Sequence, residues 1–481
     1  MKYLQPAAAF VLASLAAACT ASTPDPVSER RQQVENSLML AVSFEGEEPH
    51  RSLAEEMRRY DVPGVSFAVI DDGEIDWAAG YGLRAAGSSD TVTTNTLFQA
   101  ASIAKPLTAV AALRMQDAGL IDIDVDVQEY LEDFVIPEGE QSESNPVTLR
   151  RLLSHTAGIT PGGYLGYAKG EPLPTDLETL TGSPPANTAP ARVVMEPGSA
   201  VAYSGGGYTI VELALQDVTG LPFARLMDAW VLSVIGLERS TYSQPLDEAR
   251  EDSAALGHLA DGTTVPGGWR VHPEQAAAGL WTTASDLATF AIELRNAYLG
   301  ASDLLSPGTA AEMLTEQLDG EGIGLIVSGE GETLHFSHAG GNVGYRANMI
   351  MYVASGDGAV YLTNSDRGQS VGRELLRAAS SVYDWPGFKS REATRVALDS
   401  TTLIGLQGTY DFGDDIRVVI AFDETAGGLT ITFPNGDVYG LVPIGPFNFV
   451  HPETGVTVDF DGTDERRTVV VYGDTGVRVR N

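Results

Sequence analysis

The sequence predicts an α+β fold with a mostly antiparallel sheet, followed by a small all-β barrel. Three observations carry this. Two strand-like runs near the start are answered by several more after residue 320, and helical periodicity dominates the stretch between them. A helix-like run from Ser370 to Tyr383 closes that portion. Beyond Trp385-Pro386-Gly387 the pattern becomes short alternating runs separated by tight turns, the signature of a β module.

The 481 residues allow two or three domains, each with ample core. Acidic residues outnumber basic ones 65 to 30, for a net charge of −35. Such a surface repels nucleic acid and anionic lipid, so a nucleic-acid partner is excluded. Residues 1–19 read as an export signal. Lys2 supplies the positive end, and Ala7 to Ala18 form an apolar stretch too short for a permanent bilayer span. The run Leu15-Ala16-Ala17-Ala18-Cys19 resembles a bacterial lipoprotein signal, in which the cysteine is lipidated; Cys19 is the chain's only cysteine. The expected address is therefore the periplasm, free or held to a bacterial membrane by a lipid on Cys19; an ordinary signal cut nearby is the alternative. Residues 20–44 are polar and tinged with Ser, Thr and Pro, and read as a tether.

Residues 45–385 form the main domain. Leu53, Met57 and Tyr60 recur at helical spacing and stop before Pro63-Gly64. Val65 to Ile70 and Ile75 to Tyr81 read as strands joined through Asp71-Asp72-Gly73, a hairpin turn. An amphipathic helix is expected from Leu107 to Leu120, with Gly119 as its cap. Val147 to Ser154 form a short helix, and His155 beside its apolar end reads as a buried structural histidine. The Pro-, Thr- and Gly-rich stretch from Gly170 to Pro197 looks like a long loop flanking a site.

Further helices are expected over Tyr208 to Val218, Phe223 to Val234, and Ala284 to Tyr298. The last is opened by Thr283 with Asp286 three residues on. Strands follow over Ile323–Val327, Thr333–Ser337, Arg346–Tyr352 and Ala359–Thr363. Residues 386–400 read as a linker and 401–481 as the barrel.

Chemistry is concentrated in three places. Ser102-Ile103-Ala104-Lys105 sets a hydroxyl and an amine three residues apart at a helix start, where they share a face and the helix offers unpaired N–H groups. Ala202-Tyr203-Ser204-Gly205-Gly206-Gly207 leaves Tyr203 at a glycine-rich corner before a helix. His338-Ala339-Gly340-Gly341-Asn342 ends a late strand, where glycines allow close backbone approach to a ligand. His335 and His338 point to opposite strand faces and make a poor metal pair.

With these three motifs in this order, residues 45 to 385 resemble the penicillin-recognising serine hydrolases. That superfamily includes class C β-lactamases, DD-peptidases, D-aminopeptidases and related esterases. Val62-Pro63-Gly64-Val65, Leu152 to Gly158, and Gly279-Leu280-Trp281-Thr282-Thr283 also match, and the tail resembles the lipocalin-like barrels appended to some members. The resemblance implies an antiparallel sheet flanked by helices plus a helical subdomain, with the pocket between them. It implies that Ser102 forms an acyl-enzyme on a small-molecule or peptide substrate, and that Lys105 and Tyr203 share proton transfer, the order between them open. It also implies an oxyanion hole from the N–H groups of Ser102 and Gly341, substrate contacts at His338, Gly340 and Gly205, and no metal or organic cofactor.

Two positions depart from the family pattern. Gly205 stands where an asparagine usually holds the substrate amide, and His338 replaces the lysine of the K-T-G motif. Both favour an esterase or peptidase over a class C-like β-lactamase. A non-catalytic envelope-binding protein on the same fold is the alternative of another class.

Overall fold

The computed structural model describes residues 25–413, 416–463 and 466–479; Cys19 and the export-signal reading lie outside them. An antiparallel six-stranded sheet lies at the centre of the main domain. Its strands run in the spatial order Glu74–Gly82, Gly64–Asp71, Gly358–Thr363, Tyr345–Tyr352, His335–Asn342 and Ile326–Ser328. On its central strands, Gly64–Asp71, Gly358–Thr363 and Tyr345–Tyr352, both faces are largely buried, and the two-residue strand period sorts side chains between two cores. Ala68, Ile70, Met349, Met351, Val360 and Leu362 pack on one face with the helix Ala284–Tyr298. Phe67, Val69, Ile350, Tyr352, Ala359 and Tyr361 pack on the other with the helix Gly368–Val382. The first hairpin turns through Asp72 (φ 51°) and Gly73 (φ 79°), the left-handed pair that a two-residue turn needs.

The helix opened by the central serine spans Ala104–Asp117 and is corrected in one respect. It is buried on nearly every face rather than amphipathic, with Leu107, Val110 and Leu113 as well as Thr108 and Ala112 out of solvent. Small residues Ala109, Ala111 and Ala112 let neighbouring backbones close around it. Its end is as expected. Gly119 follows the last turn with φ 72°, and the Leu120 N–H donates to the Met115 carbonyl at 2.9 Å. The expected helix from Phe223 to Val234 is interrupted, with an α segment Phe223–Met227 running into a wider π turn, Asp228–Leu232.

Past the linker, eight strands from Gly408–Asp411 to Asp474–Arg478 close into an antiparallel barrel, filled by Tyr410, Ile420, Ile431, Phe449, Val458 and Val469. Two stretches read as connectors are folded. Within the expected tether, Pro26–Glu35 is a helix and Val42–Phe44 a strand; within the expected linker, Arg391–Ala393 pairs parallel with that strand. The helix is polar overall, which is why it reads as a tether, yet Val34 is fully buried against the second core and Arg30 bridges to Asp76 at 2.6 Å. Val34→Ala removes two buried methyl groups and is expected to cost about 1–2 kcal/mol and a few degrees of Tm by thermal unfolding. An unchanged Tm would mean that this helix does not belong to the cooperative unit.

Candidate active site

The central serine sits at the junction of a short strand and the buried helix. Phe98–Ala101 pairs antiparallel with Leu280–Thr282, and the register slips between Gln99 and Ala101. A bulge of this kind re-aims the chain. Ala101 takes φ 51°, a left-handed conformation rare for alanine, and Ser102 follows at once. The helix proper begins at Ala104, so Ser102 lies just ahead of its first turn rather than in it. The Lys105 N–H donates to the Ser102 carbonyl at 3.0 Å, which fixes the spacing of the two side chains.

Lys105 is 2% exposed. Its Nζ lies 3.2 Å from Ser102 Oγ and donates to the Ala277 carbonyl at 2.7 Å. The ring centroids of Tyr203 and Tyr208 stand 4.9 and 5.4 Å away. Desolvation lowers this amine from 10.5 to about 7, because an ammonium ion loses its hydration there without an acid in compensation. A carbonyl only accepts, so one amine N–H is committed to Ala277. In the neutral amine the lone pair is then free for the Ser102 hydroxyl.

Tyr203 is brought across from the segment before the helix Gly205–Thr219. The residue is 44% exposed, yet desolvation of the phenol pushes it up to about 12, against the pull of a hydrogen bond with Ser102, and the Glu321 carboxylate adds to the rise. The phenol is therefore protonated near neutrality. His155 holds this segment from behind. Its carbonyl accepts from the Ala202 N–H at 2.8 Å, its Nδ1 accepts from the Ser204 N–H at 3.0 Å, and its ring lies 4.2 Å from that of Tyr203. Burial, with the Lys105 amine and His338, pushes His155 well below 6.5. The histidine is structural, as its sequence context implies, but what it supports is Tyr203.

The third wall is the strand His335–Asn342. A Cβ built at Gly340 would stand 2.1 Å from the Ala100 carbonyl oxygen, so this strand touches the segment leading into Ser102 and only glycine permits it. Gly341, the next residue, is exposed on the same stretch. His338 is 6% exposed, and its ring centroid is 6.5 Å from that of Tyr203. Desolvation lowers it to about 3, with the Lys105 amine adding to the effect. Its Nδ1 lies 2.7 Å from the Ala339 carbonyl, so that nitrogen carries the proton and Nε2 is left as an acceptor. His338 therefore brings no positive charge to the site at neutral pH.

Gly205 has a steric reason. A Cβ there would meet the Tyr164 ring at 2.9 Å, so the space an asparagine would need is taken. The Tyr164 hydroxyl is tied to Thr209 at 2.7 Å. Nothing in the sequence pattern singles out Tyr164 or Ala277. A lone aromatic in a loop and a backbone carbonyl leave no motif.

Ser102, Lys105, Tyr203, His338 and Gly340 thus converge on one site. The family model described as Beta-lactamase matches residues 50–383. Penicillin-binding protein 4 of Amycolatopsis lactamdurans is 27% identical over 66% of this chain and 85% of that protein. Penicillin-binding protein 4* of Bacillus subtilis is 22% identical over 84% of this chain and 91% of its own length. The octameric penicillin-binding protein homologue from Pyrococcus abyssi shares the fold with a TM-score of 0.60 at 20% identity, over 89% of this chain and 98% of that one.

Gly340→Ala is expected to wedge the strand away from Ser102 and to slow labelling of Ser102 by a fluorophosphonate probe about 10²-fold. Labelling at the wild-type rate would show that the strand is not in close register with the nucleophile.

Proposed function

Since the chain belongs to the Beta-lactamase family, we propose that it is an exported serine hydrolase that cleaves an ester or amide through an acyl-Ser102 intermediate. The observation that carries this reading is the desolvated Lys105 amine 3.2 Å from Ser102 Oγ. Penicillin-binding relatives matched along most of their length support it. Export rests on the leader alone.

In this mechanism neutral Lys105 takes the Ser102 proton as Oγ attacks the substrate carbonyl. The N–H groups of Ser102 and Gly341 stabilise the oxyanion. Tyr203, protonated and facing Ser102, gives its proton to the leaving alkoxide or amine and recovers one from Lys105. Water then attacks the acyl-enzyme carbonyl as the same groups withdraw its proton, and Ser102 is released with the acid. The pKa order of the two groups supports Lys105 as first base: the amine is half neutral near pH 7, whereas a tyrosinate would require a pH near 12.

The substrate class follows from the two departures. With Tyr164 against Gly205 and His338 neutral, positions 205 and 338 offer neither the side-chain amide nor the cation with which the family pattern would grip a carboxylated amide. We therefore place esters, and peptides with an unusual acyl group, ahead of β-lactams.

Short-chain p-nitrophenyl esters are expected to be turned over, with cephalosporins hydrolysed slowly or not at all. Comparable rates on the two would refute this ordering. Ser102→Ala should abolish turnover, and Lys105→Ala should lower kcat roughly 10²–10⁴-fold with an unchanged circular dichroism spectrum. An unfolded Lys105→Ala protein would make the lysine structural.

The sign of the pH profile follows from the lowered amine. The base form of Lys105 appears as pH rises through about 7, so kcat/KM should climb through that value and be level by pH 10, the ordinary tyrosine value. A profile still climbing through 10 would assign the base to Tyr203 instead.

A further inference from the structure

The hydrolase reading depends on the Lys105 amine being held dry, and the group that holds it lies outside the three motifs. Its only carbonyl anchor among the described residues, Ala277, sits on the four-residue helix Gln275–Ala278. One turn of helix does not hold itself in place, because its first N–H groups have no partners within it. Here the Ala276 N–H donates to Glu212 Oε2 at 2.8 Å, while the Thr108 hydroxyl, 3.0 Å from the Ala104 carbonyl, reaches the Ala276 carbonyl only at 3.4 Å.

Glu212 is fully buried in the helix Gly205–Thr219, which begins just after Tyr203. Its second oxygen has no hydrogen-bond partner. A buried carboxyl in that condition costs stability that an apolar residue of similar size would not. Its position is what makes sense of it. The side chain joins the helix that presents Tyr203 to the turn that anchors Lys105.

We propose that Glu212 is a positioning residue for the proposed reaction: it pins the Gln275–Ala278 turn so that the Ala277 carbonyl holds the Lys105 amine against Ser102 and keeps water from its back.

The charge state of Glu212 is consistent with a mechanical role. Burial, then Asp176, raise this carboxyl well above its ordinary value, with Glu274 adding to the rise against the pull of the Ala276 and Gln275 N–H groups. Burial thus favours its neutral form, which puts no negative charge near the amine. Tyr164 and Tyr242 also face it, both raised by burial. Around Lys105 stand Tyr203, Tyr208, His155 and His338, none of them charged near neutrality. Freeing the turn therefore acts on the amine by admitting water, which favours the ammonium form.

The test reads Lys105 directly. The sequence has four lysines, so in full-length protein carrying ¹³C-lysine the Lys105 Cε signal is assigned by its loss in Lys105→Ala, and its pH titration is followed by NMR. Glu212→Met keeps the volume and removes the acceptor; the Lys105 midpoint is expected to rise from about 7 to about 8 or higher, with ester kcat/KM at pH 7 falling about fivefold or more. Glu212→Gln keeps an oxygen for the Ala276 N–H and should titrate as wild type.

If Glu212→Met does not fold, Glu212→Leu is read in the same way. A midpoint that stays or falls without the acceptor, or that rises equally in Glu212→Gln, overturns the role. The titration uses no substrate, so a protein that failed to cleave esters would end the hydrolase reading while the effect of Glu212 on the amine could still be measured.

Discussion

The structure turns on an amine with almost no water around it. An ammonium ion in that place would lose its hydration with no carboxylate to offset the loss, so the proton becomes easy to remove. The single strong contact Lys105 makes besides Ser102 is with a backbone carbonyl, a dipole rather than a charge. An acidic partner would have had the opposite effect. It would have held the proton on and kept the lone pair from the serine. The chain carries an excess of acidic groups, yet the residues around this amine are phenols, imidazoles and backbone.

Keeping that pocket dry requires walls from distant parts of the chain. The bulged strand Phe98–Ala101 aims the serine, and the buried helix Ala104–Asp117 carries the lysine. The helix after Tyr203 supplies the phenol, and the strand through Gly340 presses on the Ala100 carbonyl. At Gly340 the contact is backbone against backbone, and only glycine leaves room for it. The large two-faced sheet makes such tolerances possible. Alternate residues on its central strands are locked into separate cores, so those strands cannot slide without exposing one of them.

Much of this is legible in the amino-acid order alone. The succession of strands and helices fixes the α+β class through periodicity, and Ser102, Lys105, Tyr203 and His338 stand out because side-chain chemistry leaves a motif. What stays hidden shares a physical character. Ala277 acts through a carbonyl that every residue has, and Tyr164 acts by occupying volume. Val34 is one inward residue on an otherwise polar helix, too little apolar periodicity to be told from a tether. In the barrel, strands as short as Asn448–Val450 give no alternation to detect, whereas Arg417–Asp423 does. Sequence pattern reports what side chains prefer; it is silent where backbone or shape does the work.

The two departures from the family pattern then act in one direction. A lysine at position 338 would have offered a charged donor; the imidazole instead spends its N–H on the Ala339 carbonyl and turns an acceptor outward. An asparagine at 205 would have offered an amide; the Tyr164 ring presents an aromatic surface there. Under the proposed function, recognition at these two positions moves from charge and amide pairing towards shape and apolar contact. A substrate gripped in that way is held by its acyl or alcohol portion rather than by a carboxylate, and the acidic exterior works against an anion approaching at all. On the proposed reading a neutral ester meets none of these obstacles, while the serine and its dry amine would remain equipped to attack it.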